Sequence, residues 1–339
     1  MALQVAVVGI GNIGSIHAGI YVEHPKSELV AVCDIDREKA DRKAAEYGCR
    51  AFYSVKEMLG SGTKLDAVSM ATKGEENGGD HYEPTMELLA AGIPVLGEKP
   101  ISNRIGEARK MVALAEEKGV PYAIDLNHRF TPAAERARAW LDDGRLGMPH
   151  MVNMRMWINN PAETSPWFHL RALHPHSFDI LRYFCGEVKR VACFCSKGEG
   201  RAIWSNAQIL LEFENGMIGN LAGSYDATGP SGSFGLEHVD VSGSKGRFLL
   251  EEACQALTYY PRNSMEIETY RYLGGMLHFQ ETFKSRIGAW IDQMSDGVPH
   301  DRIAGSGREG LLAQEIIEAA IVSWEEGRVV AMAEMAGRE

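Results

Sequence analysis

The chain is predicted to be an α/β protein in two parts: an amino-terminal Rossmann-like, doubly wound parallel sheet, and a carboxyl-terminal α+β domain with a large, mostly antiparallel open sheet. Three observations predict this. A short apolar strand leads directly into a glycine-rich turn and a helix at the amino terminus. Strand-like and helix-like segments then alternate to about residue 126. Beyond Met148-Pro149 the hydrophobic period changes to strict alternation. The domains are therefore set at 1–126 and 127–339, with a final helix and tail free to pack back on the first.

The alternation begins at Leu3 to Val8, followed by Gly9-Ile10-Gly11-Asn12-Ile13-Gly14 and then Ile16 and Ile20 at helical spacing. This G-x-G-x-x-G turn permits positive φ and close approach of a pyrophosphate, which rests on the positive end of the helix. A second strand, Leu29 to Cys33, ends in Asp34, twenty residues past Gly14. A carboxylate there accepts from the adenosine ribose hydroxyls and repels a 2′-phosphate, so NAD is favoured over NADP; Arg37 keeps NADP open. Asp36 is the better N-cap for the helix carrying Ala40, Ala44 and Tyr47.

Further strands are expected at Asp66 to Ala71, Pro94 to Gly97 and Val120 to Leu126, with helices from about Tyr82 to Ala91 and after Ser102. Ligands bind such sheets at the carboxyl ends of the strands, where the fingerprint, Asp34, Thr72, Lys99 and Asn127 all emerge. Pro100 biases Lys99 toward extended backbone and permits a cis bond.

In the second part Thr131-Pro132 opens a short helix closing at Gly144, and Val152, Met154, Met156 and Ile158 mark one face of a strand. Strands at Val188 to Cys195, Ala207 to Glu214, Met217 to Tyr225, Leu236 to Ser242 and Arg247 to Leu250 are joined by short glycine turns, which makes the sheet largely antiparallel. Helices are expected over Pro175 to Cys185, His278 to Ser295 and Glu309 to Glu326, before a strand at Arg328 to Met332. With Pro175 at the first helical position, His176 falls in the first turn, where the positive helix end keeps its imidazole neutral and able to accept a proton.

Composition narrows the function classes. At 339 residues, 45% hydrophobic and 24% charged, the chain can bury two cores. A net charge of −11 without a basic run argues against nucleic-acid or polybasic membrane contact. Without a membrane-length apolar segment or a leader, a cytoplasmic location is expected. The six cysteines, at 33, 49, 185, 193, 195 and 254, carry no Cys-x-x-Cys spacing. Reduced, buried thiols and no metal are expected, with Cys193 and Cys195 on one packed strand face.

Taken together, Gly9 to Gly14, Asp34, Thr72 followed by His81, Ala91 through Glu98-Lys99-Pro100, and Asn127-His128-Arg129-Phe130 resemble the glucose-fructose oxidoreductase, inositol dehydrogenase and MocA family over almost the whole chain. The resemblance implies NAD-binding by Gly9, Gly11, Asn12, Ile13, Gly14, Asp34, Thr72, His81, Glu98 and Lys99. It further implies that Lys99 hydrogen-bonds the substrate hydroxyl with Glu98 in support, and that one sheet face pairs with another subunit in a homo-dimer or homo-tetramer.

There are two departures. The Lys73 to Asp80 loop is longer and more acidic than the family's turn, and its acids could meet a polyhydroxylated substrate. The family's aspartate, three residues, histidine, then aspartate after three more, is met by His176 and Asp179, but its first position is Ala172. Asp179 is expected to anchor the helix. His174 is a partial substitute for the lost carboxylate or a helix cap, and His169, His174 and His176 are close enough in sequence to raise a metal triad as a lesser alternative.

Asn127, Trp157, Trp167, His174 and Tyr225, with Asn159 and Asn160, are candidates for a wall facing a sugar, because ring faces pack on C–H surfaces and amides read hydroxyls. The expected activity is hydride transfer between nicotinamide and a secondary alcohol of a sugar, sugar derivative or inositol. The alternatives are a cofactor-retaining glycosidase of the same fold and a non-catalytic dinucleotide or sugar sensor.

Overall fold

The computed structural model describes residues 2–74, 80–227, 235–272 and 279–338. Residues 75–79 of the acidic loop and His278 lie outside these described residues. The chain divides into two compact units, Met1–Asp125 with Phe283–Leu311, and Leu126–Thr282 with Leu312–Arg338. The stretch 283–311, which the sequence assigned to the second domain, thus groups with the first.

In the first unit the strands are β1 (Leu3–Val8), β2 (Ser27–Cys33), β3 (Arg50–Phe52), β4 (Ala67–Met70), β5 (Val95–Gly97) and β6 (Tyr122–Ile124). They form one parallel sheet in the order β3-β2-β1-β4-β5-β6. The helices between them are α1 (Asn12–Glu23), α2 (Arg37–Tyr47), α3 (Val55–Gly60), α4 (Tyr82–Ala90) and α5 (Ile105–Lys118). Asp36 caps α2 by accepting from the Lys39 amide, which leaves Asp34 for other work. The sequence reading passed over β3 and α3: three- and six-residue elements are too short to show a period.

In the second unit the chain forms α6 (Pro132–Asp142), β7 (Pro149–Ile158), α7 (Phe168–Cys185), β8 (Val188–Ser196), β9 (Asn206–Phe213), β10 (Ile218–Ser224), β11 (Gly235–Gly243), β12 (Gly246–Glu251), β13 (Ala256–Pro261) and β14 (Glu268–Arg271). Then come α8 (Gln280–Ser295), α9 (Gly307–Glu326) and β15 (Val330–Ala331). The nine-stranded sheet runs β14-β13-β12-β11-β7-β10-β9-β8-β15, antiparallel except for the pair β7 and β10. One face is apolar: Val152, Met154, Met156, Val191, Ile209, Leu211 and Leu221 join Phe178, Ile180, Leu181 and Phe184 of α7 in one core. Cys193 and Cys195 lie on that face too, sulfurs 3.5 Å apart and buried.

Two corrections concern helices. Pro175 lies inside α7 and does not open it. Phe168, Leu170 and Leu173 before it are buried, and that burial, at about 1.5–3 kcal/mol per large apolar side chain, outweighs the single backbone hydrogen bond to Arg171 that a proline forfeits. His176 is therefore mid-helix, and the helix-end argument for its neutrality does not hold. The second concerns the carboxyl-terminal helices: the start of the final one, residues 307–311, groups with the first unit, and so does most of α8. Its Phe283, Ile287, Trp290 and Ile291 close over Val5, Val7, Ile10, Tyr21 and Leu96.

Candidate active site

The site residues of the first unit sit at the carboxyl ends of its strands or on the helices that follow them, at the edge where the topology places ligands. After β1, Gly9 has φ +83°, and a Cβ there would lie 2.6 Å from the Ala71 backbone; at Gly14 a Cβ would lie 1.9 Å from the Gly9 carbonyl oxygen. Gly11 faces open space, so the turn keeps its amide edge accessible. Asn12 and Ile13 are exposed at the first turn of α1.

After β2, Asp34 accepts from the Ile10 amide at 3.0 Å through Oδ2 and from the Asp36 amide at 2.9 Å through Oδ1. These bonds hold the carboxylate at the lip of a cavity of about 660 Å³ lined by Gly9, Gly11, Asp34, Thr72 and Asp80 among others. An anchored acid with remaining lone pairs, an open glycine turn and a cavity of this size fit an adenine dinucleotide. Lys39, which sequence reasoning missed, lies 3.3 Å from Asp34 and also lines the cavity. Arg37, the cation expected there, is instead laid over the Tyr53 ring at 4.1 Å.

Thr72 and His81 are brought together. Thr72 Oγ1 donates to the Asp80 carbonyl at 2.7 Å, and His81 Nε2 donates to the Thr72 carbonyl at 3.0 Å. Burial drives the His81 pKa down to about 4, so this is a neutral brace for the loop.

Beyond β5 and β6 lies a buried charge cluster that sequence reasoning did not assemble. The ladder carries on past both strands: Glu98 N donates to the Met70 carbonyl and Asp125 N to the Gly97 carbonyl, each at 2.8 Å. Both carboxylates are thereby aimed at His17 of α1, whose Nε2 lies 3.1 Å from Glu98 Oε1 and 3.3 Å from Asp125 Oδ2. His17 Nδ1 meets Ser69 Oγ at 3.1 Å, and that oxygen meets the Tyr21 hydroxyl at 2.7 Å. Burial opposes a charge on His17, but its bonds to Asp125 and Glu98 prevail and raise its pKa to about 9.

Lys99 follows immediately, half-buried, its amide donating to Glu98 Oε2 at 3.2 Å and its bond to Pro100 cis. Burial pulls its pKa down while Glu98 and Asp125 pull it back up. The signals were present in the sequence: His17 and Tyr21 share one face of α1, and Asp125 ends an apolar strand at the ligand edge.

In the second unit, α7 presents its histidines in two directions. His169 Nδ1 donates to the Trp204 carbonyl at 3.2 Å, its Nε2 accepts from His174 Nε2 at 3.1 Å, and His174 Nδ1 accepts from Ser177 at 3.0 Å. Every ring nitrogen of this pair is spent internally. Burial holds His169 near 3 and His174 well below the ordinary value.

His176 points elsewhere, stacked on His128 with ring centroids 4.4 Å apart and planes 4° apart. His128 Nδ1 donates in turn to the buried Glu237 at 2.9 Å. His128 and Glu237 were missed as site residues, although an acid on the inward face of β11 is a readable signal. Asp179 takes Arg129 in a two-toothed pair, Nε to Oδ2 at 2.8 Å. It anchors α7 to the turn at residues 127–130.

The expected sugar wall is dispersed. His174 and Tyr225 are buried in the core, Tyr225 4.9 Å from the His169 ring. Their ring faces are used in packing within the core. Trp167 stacks on Trp204 at 5.9 Å. Trp157 borders a separate cavity of about 340 Å³ with Phe194, Asn206 and Ser224. Asn127 is buried and donates to Thr282 at 2.7 Å, its Oδ1 lacking a partner among the described residues.

Residues 3–126 match the oxidoreductase family with an NAD-binding Rossmann fold, and residues 134–249 match the GFO/IDH/MocA carboxyl-terminal domain. D-apiose dehydrogenase of Paraburkholderia graminis is 27% identical over 96% of this chain and 88% of its own length. Inositol 2-dehydrogenase of Rhizobium meliloti is 25% identical, over 98% and 100%. Among solved structures, an Agrobacterium radiobacter oxidoreductase in complex with NAD+, L-tartaric acid and magnesium superposes with a TM-score of 0.86 at 21% identity, covering 99% and 100%. An Azotobacter vinelandii inositol dehydrogenase homologue with NADH and myo-inositol gives 0.82 at 20%, covering 98% and 98%. With the glycine turn and Asp34 at the ends of β1 and β2 and both family domains matched in order, the chain belongs to the Gfo/Idh/MocA family of NAD-binding oxidoreductases.

Proposed function

We propose that this oxidoreductase acts on a secondary alcohol of a sugar, sugar derivative or inositol, with NAD as acceptor. The observation that carries the reading is Lys99, a half-buried ammonium delivered to the same sheet edge as Gly9 and Asp34 and fastened through its own amide to a buried carboxylate. NAD, when bound, supplies a hydride acceptor. Gly9, Gly11 and Gly14 form the cradle, with Asn12 and Ile13 heading the helix behind it, and Asp34 takes the ribose hydroxyls. Thr72 and His81 shape the loop bordering the cavity.

Lys99 holds the substrate hydroxyl and balances the charge that develops on its oxygen, and Glu98 keeps Lys99 in place. His176 accepts the hydroxyl proton. The relatives named for apiose and inositol support a polyol substrate, and Asn127, Trp157 and Trp167 remain the side chains proposed to meet it.

A panel of pentoses, hexoses, inositols and glycosides assayed separately with NAD and NADP tests this. Stoichiometric NAD reduction by at least one polyol, with NADP slower, is the expected result. Release of free sugar from glycosides with no net NAD reduction would overturn it in favour of a hydrolase, and tight NAD binding without turnover would point to a sensor.

We propose further that the protein is cytoplasmic and a homo-oligomer; no described helix is long and apolar enough to cross a membrane. The open face of the large sheet carries Phe194, Leu210 and Ile218, each more than half exposed, which supports pairing through that face. Light scattering after size exclusion is expected to give a dimer or tetramer, and a monomer at micromolar concentration would contradict it.

A further inference from the structure

We infer that Lys39 is a cofactor-specificity residue: its ammonium, set against the Asp34 carboxylate, lets the adenosine end of the cavity accept a ribose carrying a 2′-phosphate as well as a free ribose diol. The inference rests on the reading of Asp34 as the acid that meets the ribose, and it does not depend on which alcohol is oxidised.

A carboxylate offers about four lone-pair positions, two on each oxygen. At Asp34 the backbone fills one on each, the Ile10 amide donating to Oδ2 at 3.0 Å and the Asp36 amide to Oδ1 at 2.9 Å. The Lys39 ammonium stands against both oxygens at once, 3.4 Å from Oδ1 and 3.3 Å from Oδ2. Both ends of the residue are held in place. Its backbone amide donates to Asp36 Oδ1 at 3.1 Å in the first turn of α2, and its ammonium lies 3.8 Å from Asp36 Oδ2.

A bare acid at the end of β2 repels a 2′-phosphate, and a cation at that point accommodates one. Here acid and cation are in contact, and both border the same cavity. The other charged side chains around that cavity among the described residues are Asp36, Asp80, Glu83 and Glu87, with Lys73 as a second cation next to Thr72. Arg37 lies over the Tyr53 ring at 4.1 Å and is not among the lining residues. Lys39 is therefore the cation at the ribose acid.

An ammonium has three donors, so Lys39 can serve a phosphate oxygen while it stays beside Asp34. Ribose hydroxyls compete with it for the outward positions of the carboxylate, whereas a phosphate gains it as a donor. Lys39 thus narrows the preference for NAD from both sides. Its side chain is 33% exposed, so removing the charge leaves the core intact.

Calorimetric titration with NAD and with NADP, in the absence of substrate, tests this. The unaltered protein is expected to bind both. In Lys39→Met the ratio of the NADP to the NAD dissociation constant is expected to rise about tenfold or more, the loss of one hydrogen bond to a charged group. Lys39→Arg should keep the parent ratio, and Arg37→Met should leave it unchanged. An unchanged ratio in Lys39→Met, an equal rise in Arg37→Met, or a parent that binds NAD and not NADP overturns the inference.

Should Lys39→Met not fold, the unaltered protein decides. Trace acetylation of the Lys39 peptide, read by mass spectrometry, is expected to be suppressed more by saturating NADP than by saturating NAD, and equal protection overturns the inference. None of these measurements needs turnover. A polyol panel without activity would sink the proposed substrate and leave Lys39 in its role, while a protein that binds neither nucleotide would sink the reading of Asp34 and this inference with it.

Discussion

Replacing Lys99 by methionine is expected to lower kcat/KM for polyol oxidation by about a hundred- to a thousandfold, the usual cost of removing one preorganised donor from a developing oxyanion. Methionine keeps the length and apolar stem of lysine, so the backbone around Pro100 and the bond from the residue 99 amide to Glu98 should persist. NAD affinity, read by fluorescence titration, should change little, because the glycine turn and Asp34 are untouched. Unchanged turnover on the best polyol of the panel would show that Lys99 does not hold the reacting hydroxyl. A collapse of NAD affinity in parallel with rate would assign it to the cofactor alone.

The second large effect is expected at His176. Glutamine there retains an amide to fill the space but cannot take a proton, and general-base losses of about a hundredfold or more in kcat follow. The stack of His176 on His128 at 4.4 Å gives this variant a structural control. Far-ultraviolet dichroism and the thermal midpoint should stay near those of the parent, since Asp179 and Arg129 anchor α7 three residues away. A variant that is folded and fully active would remove His176 from the proton path.

The parallel sheet was legible because its signals are local and repeated. Gly9 to Gly14 follow an apolar run, Asp34 ends the next strand, and the later strands alternate with helices. The second sheet was legible where alternation was clean, as in β7, and was lost where strands were short or irregular, as in β13 and β14.

The failures in the candidate site share a cause. His174 and Tyr225 were placed at a ligand wall because their chemistry suits one, but side-chain direction along α7 and the end of β10 is set by which face meets the core, and that depends on where the helix begins. Pro175 suggested the wrong start, since the cost of one forfeited hydrogen bond is visible in sequence and the burial gained by Phe168, Leu170 and Leu173 is not. His17, Asp125 and Glu237 were each readable singly, but the pairs of His17 with Asp125 and His128 with Glu237 are separated by about a hundred residues, and a linear pattern does not show which residue meets which.

The return of α8 to the first unit makes that unit a product of both ends of the chain. Trp290 is almost wholly buried in the cluster that holds Tyr21, Val5 and Ile10. While the protein is being synthesised, this flank of the nucleotide-binding sheet stays uncovered until α8, Gln280–Ser295, has left the ribosome. A fragment ending at residue 126 carries every glycine of the fingerprint and lacks the helix that covers Val5, Ile10 and Tyr21, so it is expected to expose that apolar flank.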